Sequence, residues 1–117
     1  MNINDFDRLF RRTLSGFGVT GETVYLSLDR VNAKTLRVLS HVTIENRTNS
    51  YTKVRLGIQT GNIFLYLDEL ESPAANELCV SRSDIILGEG DVFFSELTGT
   101  TTDDILVMTC IGWTKKI

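Results

Sequence analysis

Residues 35–46 read TLRVLSHVTIEN, and residues 51–59 read YTKVRLGIQ. In the first stretch Leu36, Val38, Val42 and Ile44 fall on one face, and Arg37, His41, Thr43 and Glu45 on the other. In the second, Val54, Leu56 and Ile58 face in while Lys53, Arg55 and Gln59 face out. A period of two marks a half-buried β-strand, because successive side chains of a strand point to opposite sides. The polar run Asn46-Arg47-Thr48-Asn49-Ser50 between them reads as a turn. Two alternating segments joined by a turn predict an antiparallel pair, and the rest of the chain follows from it.

Upstream, ETVYLSLD (22–29) puts Val24, Leu26 and Leu28 on one face. Downstream, Thr60-Gly61-Asn62 is a short hairpin signal. NIFLYLDEL (62–70) is apolar on both faces, which predicts a central or covered strand. ESPAANE (71–77) is a loop with the only proline. ELCVSR (77–82), DIIL (84–87), VFFSEL (92–97) and DILVMTCIGW (104–113) follow as strands, with the polar loop TGTTTDD (98–104) before the last. About eight short strands at intervals near ten residues predict an all-β fold, an antiparallel β-sandwich or jelly-roll-like barrel. The N-terminus breaks the pattern. Phe6, Leu9, Phe10, Thr13, Leu14 and Phe17 recur at spacings of three and four, which predicts one short α-helix over residues 4–15. Arg8, Arg11 and Arg12 lie off its apolar stripe, and Ser15-Gly16 and Gly18 end it. Residues 1–20 are thus expected as an amphipathic helix and hinge, and 21–117 as the sandwich, in one compact domain. Three turns are too short to stand alone, so the aromatic stripe must dock, on its own domain or on a neighbouring subunit.

Composition narrows the class. Apolar content of 42% and charged content of 23% are ordinary for a soluble globular protein. No apolar stretch reaches membrane-spanning length. MNINDFDRLFRR places acids before basics, the reverse of a secretory signal. Cys79 and Cys110, 31 residues apart with no C-x-x-C, read as reduced, buried thiols. The net charge of −3 conceals a bipolar distribution. Residues 1–59 carry nine Lys/Arg against five Asp/Glu, and residues 60–104 carry Arg82 alone against ten acids. An acidic second half argues against nucleic-acid binding, which needs a basic footprint. It suits contacts between opposite faces of like subunits.

No motif names a reaction. His41, the single histidine, falls on the face opposite Val42 and Ile44, and one histidine without paired thiols is a poor start for a zinc site. There is no G-x-S-x-G setting for a nucleophile. Loop acids (Asp68, Glu69, Glu71, Glu89, Asp91, Asp103, Asp104) are numerous enough for a calcium site, but D-x-D-x-D-G spacing is missing. Gly88-Glu89-Gly90-Asp91 lacks the third glycine, the lysine and the following helix of a phosphate loop. Gly88 and Gly90 are expected to form a structural turn that feeds the strand at 92–97. Neither a catalytic residue nor a cofactor is called for.

NDFDRLF, followed by about eight strands and closed by DILVMTCIGW, resembles the small all-β virion proteins of tailed bacteriophages. The stretch ELCVSRSDIILGEGDVFFSELTGTTTDDILVMTCIGW, read as strand, short strand, Gly-acid turn, strand, Asp-rich loop and last strand, is similar to neck, head-completion and capsid-decoration proteins. DFDRLF is also similar to the start of some head–tail joining proteins. The resemblance covers the chain as a pattern and carries over no functional residue. It implies a non-enzymatic protein, made in the bacterial host cytoplasm and placed in the virion at the head–tail junction. Its partners would be other virion proteins and copies of itself, in a homo-oligomer or ring, without nucleic acid or membrane. The interface would be built from Phe6, Leu9 and Phe10, with Arg8, Arg11, Arg12, Lys53 and Arg55 meeting Asp68, Glu69, Glu71, Asp103 and Asp104 of a neighbour. A capsid decoration protein is the alternative. So is a glycan- or calcium-binding sandwich module, for which Tyr25, Tyr51, Tyr66 and Trp113 are the candidate aromatics.

Overall fold

The last strand organises the molecule, which is described here from a computed structural model over residues 8–117. β9 (Ile105–Lys116) is flanked on both sides by long strands, β1 (Arg8–Phe17) and β3 (Thr35–Asn46). β6 (Cys79–Val80) and β7 (Ile85–Leu87) pair with the far edge of β3. A second sheet runs β2 (Val24–Ser27), β8 (Val92–Thr98), β4 (Lys53–Thr60) and β5 (Ile63–Glu71). Every pairing is antiparallel. The chain crosses from sheet to sheet after β1, β2, β3, β5, β7 and β8, which is the connectivity of a two-sheet jelly roll.

The core lies between the inner faces. Leu39, Val42 and Ile44 of β3 and Leu106, Met108 and Cys110 of β9 meet Val54 and Leu56 of β4 and Phe93 and Leu97 of β8. Alternation places them there: on β9 the even positions are buried from Leu106 to Gly112, and the odd ones are not. Cys79 and Cys110 are both buried and unbridged, and burial pushes the Cys110 thiol up to about 12.

Three sequence expectations are corrected. The first is the N-terminal helix. No helix occurs among the described residues, and Arg8–Phe17 form a ten-residue ladder with β9, from Arg8 opposite Thr114 to Phe17 opposite Ile105. Residues 4–7 of the expected helix, Phe6 included, lie outside the described residues. RLFRRTLSGF fits both periods, because Phe10 and Leu14 are four apart and also an even number apart. A three-turn helix is marginal alone, whereas a strand here satisfies the backbone groups along β9. The expected hinge at residues 16–20 is in part the end of that strand. Among the described residues the sandwich thus has nine strands rather than about eight.

The second correction concerns β3. Its register on β9 shifts between Leu39 and His41, a β-bulge at Ser40. The extra residue reverses the alternation. Val42 and Ile44 point inward as the pattern predicts, but upstream it is Arg37 and Leu39 that are buried, not Leu36 and Val38. Gly112 lies against this bulge, where a Cβ would stand 1.8 Å from the Val38 carbonyl oxygen, so no other residue fits.

The third is β5. NIFLYLDEL is expected to be central or covered, yet among the described residues β5 is the outer strand of its sheet, with β4 as its single neighbour.

Candidate functional site

β5 is the most unusual surface feature. Ile63, Phe64, Leu65, Tyr66 and Leu67 are consecutive, apolar and 45–60% exposed. Tyr66 and Phe64 lie on the outer side of the sheet, opposite Gly57 and Gln59 of β4, and Leu65 is opposite Ile58 on the other. Leu67 sits at a second register shift, between Tyr66 and Asp68. A long apolar edge strand with unpaired backbone groups is what monomeric proteins avoid, because it templates pairing with another chain.

Around it, the outer face of the second sheet is tightly organised. Phe94, only 2% exposed, is packed under Tyr25, Phe64 and Tyr66, with ring centroids 5.6–6.2 Å away. The Tyr66 hydroxyl donates to Glu96 at 2.9 Å, and the Arg55 guanidinium stacks 4.7 Å from the Tyr66 ring centroid. The four aromatics expected of a glycan surface are not brought together. Tyr51 is buried in the core, and Trp113 lies on the outer side of the other sheet, in a row with Leu9, Val38 and Ile86.

The predicted charged residues separate into three groups. Asp68 and Glu69 already have cations of their own chain. Arg82 lies 3.2 Å from Asp68, and Arg55 donates to Glu69 at 2.7 Å with Lys53 4.0 Å away. The Arg55 hydrogen bond holds the Glu69 carboxyl below its usual range. Lys53 and Arg55, expected to reach a neighbour, are thus engaged at home, and Glu71 remains exposed at the end of β5. Asp104 is 1% exposed and ties the β3–β4 turn to the β8–β9 loop, while Asp103 is exposed beside it with φ 71°. Arg8, Arg11 and Arg12 lie along β1, the edge of the first sheet among the described residues, with Leu9 exposed between them and Phe10 buried. Among the described residues no three His, Cys, Asp or Glu side chains are grouped to hold a metal ion.

β1 packs beside β2, and the Asp68–Arg82 ion pair links β5 to the segment after β6. β1 and β5, the two long edges left unpaired among the described residues, therefore lie on opposite flanks of the sandwich. Sequence reasoning singled out the arginines of β1 and the acids of β5. It missed Ile63–Leu67 as a surface, because an apolar run cannot say whether a strand is central or terminal. It also missed Arg30 and Arg37; for Arg37 the Ser40-His41 break in alternation was the available signal.

Sequence comparison matches the chain to no protein-family model and to no curated protein. Fold comparison does find likenesses. One is to a structure of the triple jelly-roll fold and turret assembly in an archaeal virus, with a TM-score of 0.67 and 11% identity over 95% of this chain and 30% of that one. Another is to the capsid structure of Helicobacter pylori bacteriophage KHP30, with a TM-score of 0.52 and 14% identity over 87% of this chain and 93% of that one. A third is to the Drosophila NLP core, described for pentamer formation and histone binding, at 0.50 and 13% over 94% and 100%. The chain spans only 30% of the archaeal virus protein, and 21% of a putative alpha-L-fucosidase from Bacteroides thetaiotaomicron that it also matches in part. At such identities the likeness is one of fold: the chain is an antiparallel jelly-roll sandwich of the kind also found in viral capsid structures.

Proposed function

We propose that this protein is a non-enzymatic structural component of a virion, that it assembles with copies of itself through the edge of β5, and that its place is the head–tail junction. The observation that carries the reading is the exposed run Ile63–Leu67 on a terminal strand. The occupant we infer is the β1 flank of a second copy. β1 is the other long edge unpaired among the described residues, and it lies on the opposite side of the sandwich. Paired antiparallel, it offers exposed Phe17 to the apolar run at Leu65 while Arg11 meets the acidic end of β5 at Glu71. A patch that meets a different patch on the next copy generates a ring where the rotation closes. The fold shared with capsid structures and the resemblance of the sequence to phage neck proteins support the placement.

Light scattering after size exclusion, at low salt and high concentration, tests this. We expect a defined oligomer, seen as closed rings by negative-stain microscopy. Leu65→Lys with Leu67→Lys should give a monomer with an unchanged circular dichroism spectrum, since neither side chain is part of the core. A wild-type chain that stays strictly monomeric, or a double variant that assembles as before, would overturn the edge contact. Open sheets in place of rings would move the protein from the junction to the capsid surface.

A further inference from the structure

We propose that the end of the sandwich where β1, β3 and β9 outrun the core is a binding site for a compact, phosphate-class oxyanion. The inner face of the first sheet is apolar through Leu106, Met108 and Cys110 of β9, Ile44, Val42 and Leu39 of β3, and Phe10 of β1. One step further it becomes cationic. Arg8 and Arg37 both lie opposite Thr114, and Thr35 lies opposite Lys116. The segment after β2 lines the far side with Asp29, Arg30 and Asn32, and the half-open cleft measures about 410 Å³.

Its charge is out of balance. Among the described residues, Arg8, Arg11, Arg12, Arg30 and Arg37 line it against the single carboxylate of Asp29. That carboxylate is 3.9 Å from Arg12, and its side chain is 86% exposed. Arg37 is the telling member. It is 8% exposed, its Nη1 donates to the Asp29 carbonyl oxygen at 3.1 Å, and its Nε has no hydrogen-bond partner among the described residues. Its guanidinium lies 4.3 Å from the Phe10 ring centroid, and that of Arg12 lies 5.8 Å from the same centroid. Buried charges are almost always paired, and arginine cannot shed its proton to escape. Burial, then the nearby charge of Arg12, both push the Arg37 pKa down. Two like charges gathered on one ring at the end of a core are stabilised by an anion between them.

The ligand class follows from geometry and charge. Guanidinium forks match the paired oxygens of phosphate, and five arginines around one cleft suit a dianion better than a lone carboxylate. The carboxylates Asp68 and Glu69 of this chain are already paired elsewhere. The net charge of −3 opposes a long polyanion tracking across the surface.

The test is titration of the full chain with inorganic phosphate and pyrophosphate, read by calorimetry and by ³¹P line broadening. We expect saturable binding, tighter for pyrophosphate and weaker at raised ionic strength. Arg12→Gln and Arg30→Gln, both at exposed positions, should each weaken pyrophosphate about tenfold, the size of one lost charge-assisted hydrogen bond. Arg47→Gln, at the other end of β3, should change nothing. Arg37→Met should abolish binding; should that variant fail to fold, the Arg12 and Arg30 variants still decide. A ten-nucleotide single strand serves as a further arm. If it binds better than pyrophosphate and loses affinity in the same variants, the phosphates belong to a nucleic-acid backbone and the site stands. No saturable binding of any of the three, or binding indifferent to Arg12→Gln and Arg30→Gln, overturns the proposal.

Discussion

Asp104→Ala should destabilise the fold by about 2–4 kcal/mol, although the sequence reads Asp104 as a loop acid free to meet a partner. The carboxylate accepts from Asn46 Nδ2 at 2.8 Å, from Asn49 Nδ2 at 2.6 Å and from the Thr101 amide at 2.8 Å. Asn46, itself fully buried, uses its side-chain oxygen to accept the amides of Thr48 and Asn49. Loss of the acceptor leaves the Asn46 amide group buried without a partner, which costs about 1–3 kcal/mol. The Asn49 and Thr101 donors are only part-buried and can turn to water, so each adds less, about 0.5 kcal/mol. In a domain of this length the sum lowers Tm by roughly 8–15 °C. Burial pushes the Asp104 carboxyl up, and the bonds from Asn46, Thr101 and Asn49 outweigh it, so the pKa lies below the usual range. The pH dependence follows. With the folded pKa depressed, the native state binds fewer protons than the unfolded chain at low pH. The stabilisation is fully present above the unfolded value of about 3.9 and is lost as pH falls through the folded pKa. Urea unfolding of wild type and Asp104→Ala at pH 7 and at pH 3 measures both effects. The gap should be widest at pH 7 and narrower at pH 3. Equal stability at pH 7 would refute the structural role and return Asp104 to the surface.

Two further outcomes test the turn and the interior. Gly90 holds φ at 83° in the turn where its amide donates to the Val31 carbonyl oxygen, so Gly90→Val should cost about 1–3 kcal/mol in urea unfolding. Glu89→Ala in the same turn should stay within about 0.5 kcal/mol of wild type, because its carboxylate is tied to nothing the turn requires. Burial holds both thiols up, Cys110 to about 12, so a thiol reagent at pH 8 should label neither in the native protein and both in denaturant; prompt native labelling of Cys110 would contradict its place in the core.

How legible this molecule is in its sequence depends on what each residue pattern encodes. Alternation encodes the environment of a strand's two faces, and it located β2, β3 and β4 to within a few residues, while β8 and β9 were located by apolar runs bounded by turns. It cannot show a bulge. Because Ser40 adds one residue to β3, Leu36 and Val38 exchange places with Arg37 and Leu39, and a buried arginine arises where the pattern wrote a surface one. Nor can a ten-residue segment with Phe10 and Leu14 four apart choose between helix and strand. Its backbone conformation is set by the open edge of β9, nearly a hundred residues away. The acids of residues 60–104 were counted correctly as charges, but their partners are tertiary: Arg55, Arg82 and Asn46 reach Glu69, Asp68 and Asp104 through pairings that no local pattern contains.

β5 shows where this limit becomes informative. IFLYLDELE carries the composition of a strand enclosed on both sides, and the jelly-roll order places it at an edge. A strand that merely ended a sheet would be expected to carry lysine, proline or a short apolar face against pairing. β5 instead keeps five apolar residues in a row at its exposed start and confines its acids to the end, where Arg55 and Arg82 neutralise two of them. Composition records the environment in which a segment works, and it does so without regard to which chain supplies that environment. The fold of one chain fixes the position of β5. Its side chains call for a cover that the described residues of that chain do not provide.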